Sequence, residues 1–321
     1  MFRMSLKVLV SCPHLQRTID NHRDLFTQNG IEIDLPEVDQ NLSETDLIKI
    51  IDRYDGVIAG DDVFSEKVLL HASKLKVISK WGVGVDSIDL EAAKRLGIKV
   101  SNTPNVFGDE VADLVIGYII LLSRKMHLID RSVRNGLWKD AQIRGISLRG
   151  KTLGVIGVGS IGKAVVERAK ALGMITLGYD VYPISESFVK QTGLKQVTLT
   201  ELLQNADFIS LNCNLTPGNK HMLGRKEFDM MKSPVYIINT ARGALIDESS
   251  LIQALTEGKV AGAALDVFEH EPLPGDSTLR QFENCIFGAH NSSNTYEAIL
   301  RTNELAIKNL FAGLSKGSNH E

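Results

Sequence analysis

KTLGVIGVGSIGKAVVERAKALGMITLGYD, residues 151–180, is the stretch that decides the fold. A short apolar run, KTLGVIG, leads into Gly157-Val158-Gly159-Ser160-Ile161-Gly162. A helical pattern continues to about Ala171, and a second apolar run, MITLGYD, closes on Asp180. Strand, glycine turn, helix, strand and a terminal acid about 20 residues past the turn together describe the opening of a dinucleotide-binding β-α-β unit. Each glycine has its own physical task in that reading. Gly157 permits the tight turn, Gly159 lets the backbone approach a pyrophosphate, and Gly162 lets the helix pack closely on the strand. Ser160 and Ile161 open the helix, whose unsatisfied N–H groups and positive dipole end face the phosphates. Asp180 would accept hydrogen bonds from the ribose hydroxyls and repel a 2′-phosphate, so NAD is expected rather than NADP.

The same rhythm extends in both directions. Upstream, LKVLVSC (6–12), GVIAG (56–60), KVISK (76–80) and IKVSN (98–102) read as strands separated by helical stretches. Downstream, DFISLNC (207–213), VYIINT (235–240), VAGAALDV (260–267) and NCIFGAH (284–290) follow the quoted pair. Near-continuous runs of this kind suit strands buried on both faces, hence parallel sheets. A long helix is expected from about Gly108 to Asn135, ending near Gly136. A last amphipathic helix, about Thr295 to Leu314, would return to the first unit and make it discontinuous. The expected class is α/β, with two Rossmann-like parallel-sheet domains. At 321 residues the chain is long for one core and suits two.

Composition excludes several functions. Hydrophobic residues make up 43% and charged residues 23% of the chain, and 36 basic against 39 acidic side chains leave a formal charge of −3. Nothing in that balance calls for nucleic acid or a membrane surface. The longest apolar stretch, LVIGYIILL at 114–122, is too short to span a bilayer, and the N-terminal run is too short for a signal peptide. Cys12, Cys213 and Cys285 form no CxxC pair, so neither disulfides nor a metal site is expected, and a cytoplasmic location is the default.

Ligands of open parallel sheets bind beyond the carboxyl ends of the strands. Three ionisable residues stand there. Arg242 follows VYIINT in Thr240-Ala241-Arg242-Gly243, Glu271 lies in the loop after VAGAALDV, and His290 closes NCIFGAH. Oxidising a 2-hydroxy acid requires a cation for the carboxylate, a base for the hydroxyl proton and a group that orients the base. Arg242 suits the first task through bidentate N–H bonds. His290 suits the second because imidazole titrates near neutrality. A carboxylate on the other ring nitrogen would fix the tautomer and favour the protonated ring. Glu269 and Glu271 flank His270, and spacing alone leaves open which one turns inward. His14, His22, His71, His127 and His221 are expected to be structural.

These motifs, in order, resemble the D-isomer-specific 2-hydroxyacid dehydrogenases. The resemblance runs from Lys80-Trp81-Gly82-Val83-Gly84-Val85-Asp86 through Asn102-Thr103-Pro104-Asn105, the glycine turn and Thr240-Ala241-Arg242-Gly243. It continues through Asp266-Val267-Phe268-Glu269-His270-Glu271-Pro272 to His290. It implies that Glu271 is the orienting carboxylate, that backbone groups at Val83 and Gly84 meet the substrate carboxylate, and that Asp266 bonds the nicotinamide carboxamide. It places Thr240 beside the cofactor. It further implies a substrate-binding domain of residues 1–102 and 292–321, an NAD-binding domain of 103–291, and an active site in the cleft between them. A homodimer joined through the NAD-binding domains, with an exchanged arm near 115–145, is expected from the same likeness. Ala289, where the family often has proline, and Asn212-Cys213-Asn214-Leu215-Thr216, where it often has H-x-P-L-T, depart from the pattern.

The Lys80–Gly84 motif is closest to the phosphoglycerate dehydrogenase branch, which makes D-3-phosphoglycerate the first substrate expectation. Lys80 would then reach a phosphate or carboxylate, unless it is an outward-pointing strand-end lysine. The acidic pair Asp61 and Asp62 argues the other way and keeps glyoxylate or hydroxypyruvate as the alternative. Relatives of this fold include NAD-sensing corepressors that act by binding partners; the chain's lack of a Pro- or Ser-rich tail weighs against that role. From the length, control through the extra regulatory domain of some phosphoglycerate dehydrogenases is not expected.

Overall fold

Twelve strands fall into two parallel sheets in the computed structural model, which describes residues 5–138 and 143–315. Their ranges are β1 (Leu6–Val10), β2 (Ile31–Asp34), β3 (Gly56–Ala59), β4 (Val77–Lys80), β5 (Lys99–Ser101), β6 (Thr152–Ile156), β7 (Ile175–Tyr179), β8 (Lys195–Gln196), β9 (Phe208–Leu211), β10 (Val235–Asn239), β11 (Val260–Leu265) and β12 (Cys285–Phe287). One compact unit combines the chain up to Val106 with the chain from Thr295 onward, and the other is Phe107–Asn294.

In the first unit the sheet order is β2-β1-β3-β4-β5. All four residues of β3 and of β4 are buried, which is why these strands show no alternation in sequence. The closing helix Tyr296–Ser315 packs on β3 and β4. At the contact a Cβ on Gly313 would lie 2.3 Å from Val77 Cγ2, so glycine is what lets that helix approach.

In the second unit the order is β12-β11-β10-β9-β6-β7-β8. Between β6 and β9 the succession of strands reverses direction, and the crevice at such a point is where α/β sheets bind ligands. A core including Ile209, Leu211, Ile237, Leu251 and Ala263 fills one side. Among the described residues, no helix is long and apolar enough to cross a membrane.

Two strands, β2 and β8, lie at sheet edges and were not anticipated. IEID in β2 is a four-residue alternation between Gly30 and a polar loop, and β8 is two exposed residues. The long helix expected over 108–135 is instead two, Gly108–Arg124 and Met126–Arg134, separated by Lys125 in the left-handed region with φ 52°. The reason is burial. The first of the two buries Val111, Val115, Tyr118, Ile119 and Leu122, whereas the second buries no residue at all, so one straight helix would serve no common face.

Candidate active site

The sheet order of the second unit explains why residues distant in sequence become neighbours. β10, β11 and β12 are adjacent and parallel, so the segments leaving their carboxyl ends emerge side by side. Those segments carry Arg242, the loop 266–271, and His290.

Each is held locally. After β10, Asn239 donates from Nδ2 to the Arg242 carbonyl at 2.9 Å and accepts from Ala241 N at 3.1 Å, which shapes the turn that presents Arg242. The Arg242 guanidinium donates from Nη1 to Ala241 O at 2.8 Å. Gly243 then lies so close to the next loop that a Cβ there would sit 1.9 Å from Phe268 C, so the turn bearing Arg242 rests directly on the loop bearing Glu271. In that loop, Glu271 Oε1 accepts from Phe268 N at 2.9 Å, and Oε2 accepts from His290 Nδ1 at 2.8 Å. Of the two flanking carboxylates, Glu271 turns to His290 and Glu269 turns to His221.

His290 has φ 52°, an uncommon conformation for a non-glycine residue, and its surroundings hold it there. Its N–H donates to Asp266 O at 2.7 Å, while the fully buried Asp266 carboxylate accepts from Asn291 N at 3.2 Å and Ser292 N at 2.8 Å. Tyr118 lies nearby; burial, and then Asp266, push its phenol up to about 12. A Glu271 carboxylate makes Nδ1 the N–H donor of the His290 ring.

The glycine turn leaves β6 as the sequence reading requires. Gly157 has φ 88°, and a Cβ there would strike Cys213 N at 2.6 Å. At Gly162 a Cβ would lie 2.0 Å from Gly157 O, whereas at Gly159 it would meet nothing within 4 Å. The helix Ser160–Ala171 begins without a side-chain cap. Asp180 braces the turn: Oδ2 accepts from Val158 N at 2.7 Å and Oδ1 from Tyr182 N at 2.9 Å, which leaves lone pairs for further donors. Thr240 Oγ1 is buried with no hydrogen-bond partner among the described residues. A buried orphan hydroxyl, an uncapped helix start and open space over Gly159 fit a dinucleotide.

In the first unit Lys80 is not the outward-pointing strand-end lysine that was one of the two expectations. It is buried, and Nζ donates to Asp61 Oδ1 at 3.0 Å and to Trp81 O at 2.9 Å. Asp62 is also buried, accepting from Ser11 Oγ at 2.5 Å, Leu42 N at 2.7 Å and Gly60 N at 2.9 Å; burial holds its carboxyl above the usual range despite those bonds. His14 stacks on Trp81 with ring centroids 4.7 Å apart, and burial, helped by Arg17, holds it below the ordinary imidazole value. Gly82 N donates to Thr103 Oγ1 at 2.9 Å and Asn102 Nδ2 to Val83 O at 2.6 Å, fixing the strand-end loop. Among the described residues, the N–H groups of Val83 and Gly84 meet no acceptor. His14 and His221, both expected to be purely structural, therefore lie among chemistry-bearing groups. His14 shortly follows β1, a position the strand-end rule covers; His221 carries no such signal.

Residues 116–292 match the family model described as D-isomer specific 2-hydroxyacid dehydrogenase, NAD binding domain. The chain is 43% identical over 269 residues to a D-3-phosphoglycerate dehydrogenase of Methanocaldococcus jannaschii, covering 83% of this chain but 51% of that protein. It thus spans about half the length of that relative. It is 37% identical over 290 residues to a glyoxylate reductase of Korarchaeum cryptofilum, covering 89% of this chain and 87% of that one. Among solved structures, a D-lactate dehydrogenase from Aquifex aeolicus, complexed with NAD and lactic acid, aligns at a TM-score of 0.85 and 29% identity over 97% of this chain and 96% of its own.

Proposed function

The chain belongs to the D-isomer specific 2-hydroxyacid dehydrogenase family, and from that membership we propose that it interconverts a small D-2-hydroxy acid and the matching 2-oxo acid. The observation that carries this reading is the Glu271–His290 hydrogen bond of 2.8 Å at the ends of two adjacent strands. In the reducing direction Arg242 holds the substrate carboxylate. His290 delivers a proton from Nε2 to the carbonyl oxygen as hydride reaches C2, and Glu271 stabilises the imidazolium from which that proton comes. Oxidation runs the same steps backward, with Nε2 taking the hydroxyl proton. Gly157, Gly159, Ser160, Ile161, Gly162, Asp180, Thr240 and Asp266 are the residues that would hold NAD, which when bound supplies or accepts the hydride.

For the substrate tail we favour a 2-oxo acid without phosphate, of the glyoxylate or hydroxypyruvate kind. The support is the Lys80–Asp61 pair: a lysine whose charge is already answered by a carboxylate has little left for a phosphate. D-3-phosphoglycerate is the second reading, favoured by the Lys80–Gly84 motif and the identity to a phosphoglycerate dehydrogenase. The assay is NADH oxidation with glyoxylate, hydroxypyruvate, pyruvate and 3-phosphohydroxypyruvate. Turnover by the parent and its loss in His290→Asn, with NADH binding retained, is the expected outcome. NADH binding without turnover of any 2-oxo acid would instead point to a sensor.

A homodimer through the second unit is part of this proposal. Met126, Ile129 and Val133 recur at helical spacing on Met126–Arg134 and are all exposed, followed by exposed Leu137 and Trp138. Of the arm expected over 115–145, residues 139–142 lie outside the described residues. Ile129→Glu combined with Val133→Glu should yield a monomer in sedimentation; an unchanged dimer would remove this surface from the interface.

A further inference from the structure

The loop that carries Glu271 is fastened from outside the catalytic pair. Glu248, the first residue of the helix Glu248–Thr256, accepts from Glu269 N at 2.6 Å. That helix is itself fixed by Asp247, whose carboxylate accepts from Ser249 N at 3.0 Å. The Glu269 carboxylate lies against His221 Nε2. His221 sits in the left-handed region at φ 54°, and its N–H donates to Ala244 O at 2.8 Å, tying it to the turn just after Arg242. The two N–H groups of Phe268 and Glu269 are thus claimed by two carboxylates, Glu271 from within the loop and Glu248 from the neighbouring helix.

From this geometry we infer that Glu248 and the His221–Glu269 pair are positioning residues that set the place of Glu271 and, through it, the orientation of the His290 ring. Phe268 N and Glu269 N belong to successive peptide units. Releasing the second lets the first rotate, and Phe268 N is the donor that fixes Glu271 Oε1. The Glu248 carboxyl stays in place although burial, with Glu269 and Glu271 beyond it, pushes it above the usual carboxylate range. His221 adds a second fastening by linking the loop to the turn that presents Arg242, so the substrate clamp and the proton-transfer pair share one support. A general acid–base group contributes only when its geometry is right, so a shift that leaves binding intact still slows the proton transfer.

The inference rests on the reading of His290 as the proton-transfer group, and the test separates the two. Glu248→Ala, Glu248→Gln, Glu271→Gln and the double variant Glu248→Ala/Glu271→Gln are compared for kcat, KM and NADH affinity, with His290→Asn as reference. Glu248→Ala should lower kcat about tenfold, with KM and NADH Kd changed by less than about twofold. Glu248→Gln keeps an acceptor oxygen for Glu269 N and should stay within about twofold of the parent. In the Glu271→Gln background the Glu248→Ala loss should nearly vanish, because residues acting through one partner are not additive. Should Glu248→Ala fold poorly, the half-exposed His221→Leu takes its place, with a several-fold loss of kcat that also disappears in Glu271→Gln. An unchanged kcat in Glu248→Ala, equal damage from alanine and glutamine, or a full loss persisting in Glu271→Gln would each overturn the inference. Normal turnover by His290→Asn would instead overturn the functional reading beneath it.

Discussion

Asp266→Asn is a change of one heavy atom at a site with no solvent exposure, and its expected cost follows from the bonds present. One carboxylate oxygen accepts from Ser292 N at 2.8 Å and the other from Asn291 N at 3.2 Å. Hydrogen bonds to a charged group contribute roughly 1.5–3 kcal/mol each. An asparagine keeps one acceptor, now neutral and about half as strong, and turns an –NH2 toward the other N–H. The shorter Ser292 bond should keep the oxygen and the longer Asn291 bond should be lost. Weakening one bond and replacing the other by two facing donors comes to about 2–4 kcal/mol. Chemical denaturation without cofactor, followed by circular dichroism, reads this directly as a lower midpoint for the unit 107–294. Catalysis should suffer as well, because the same turn holds His290 at its positive φ. Stability within about 0.5 kcal/mol of the parent, the range of an indifferent surface change, would refute the assignment of Asp266 as the brace of this turn.

Two further outcomes follow. Asp207 is pushed upward by burial, but its bonds from Lys232 Nζ at 2.7 Å and Thr152 N at 2.9 Å outweigh that and hold its carboxyl below the usual range. A depressed carboxyl contributes stability that is present above its unfolded value and lost as pH falls through the folded one. Asp207→Asn should therefore cost about 1–3 kcal/mol at pH 7, and the gap from the parent should close in acid; a gap that is constant with pH would contradict the pairing. Asp61→Asn weakens the hold on Lys80 Nζ and should raise kcat/KM for 3-phosphohydroxypyruvate relative to glyoxylate by about tenfold. An unchanged ratio would show that this pair does not govern the substrate tail.

How much of this was legible in sequence depends on how far apart the deciding atoms lie along the chain. The central strands could be read because parallel strands buried on both faces demand runs of Val and Ile, and β3, β4 and β9 have no exposed position to interrupt them. The glycine turn could be read because its constraints are local: Gly162 is needed by an oxygen only five residues away, that of Gly157. Edge strands β2 and β8 lack that burial, and the break at Lys125 depends on one helix finding a core and its successor finding none. The strand-end rule marked Arg242 and His290, since it needs only the position of each residue relative to a strand, but it left Glu269 and Glu271 open, and the family motif chose Glu271. The rule does not say what each side chain grips. Lys80 stands at a strand end and is occupied by Asp61, while His221 stands at none and grips Glu269. Such pairings become visible only when sheet order brings loops together, as β10, β11 and β12 do here. A strand-end charge is therefore better judged by what already holds it than by where it stands: Asp61 holds Lys80, and Glu271 holds His290 through Nδ1, which is the orientation the proposed proton transfer requires.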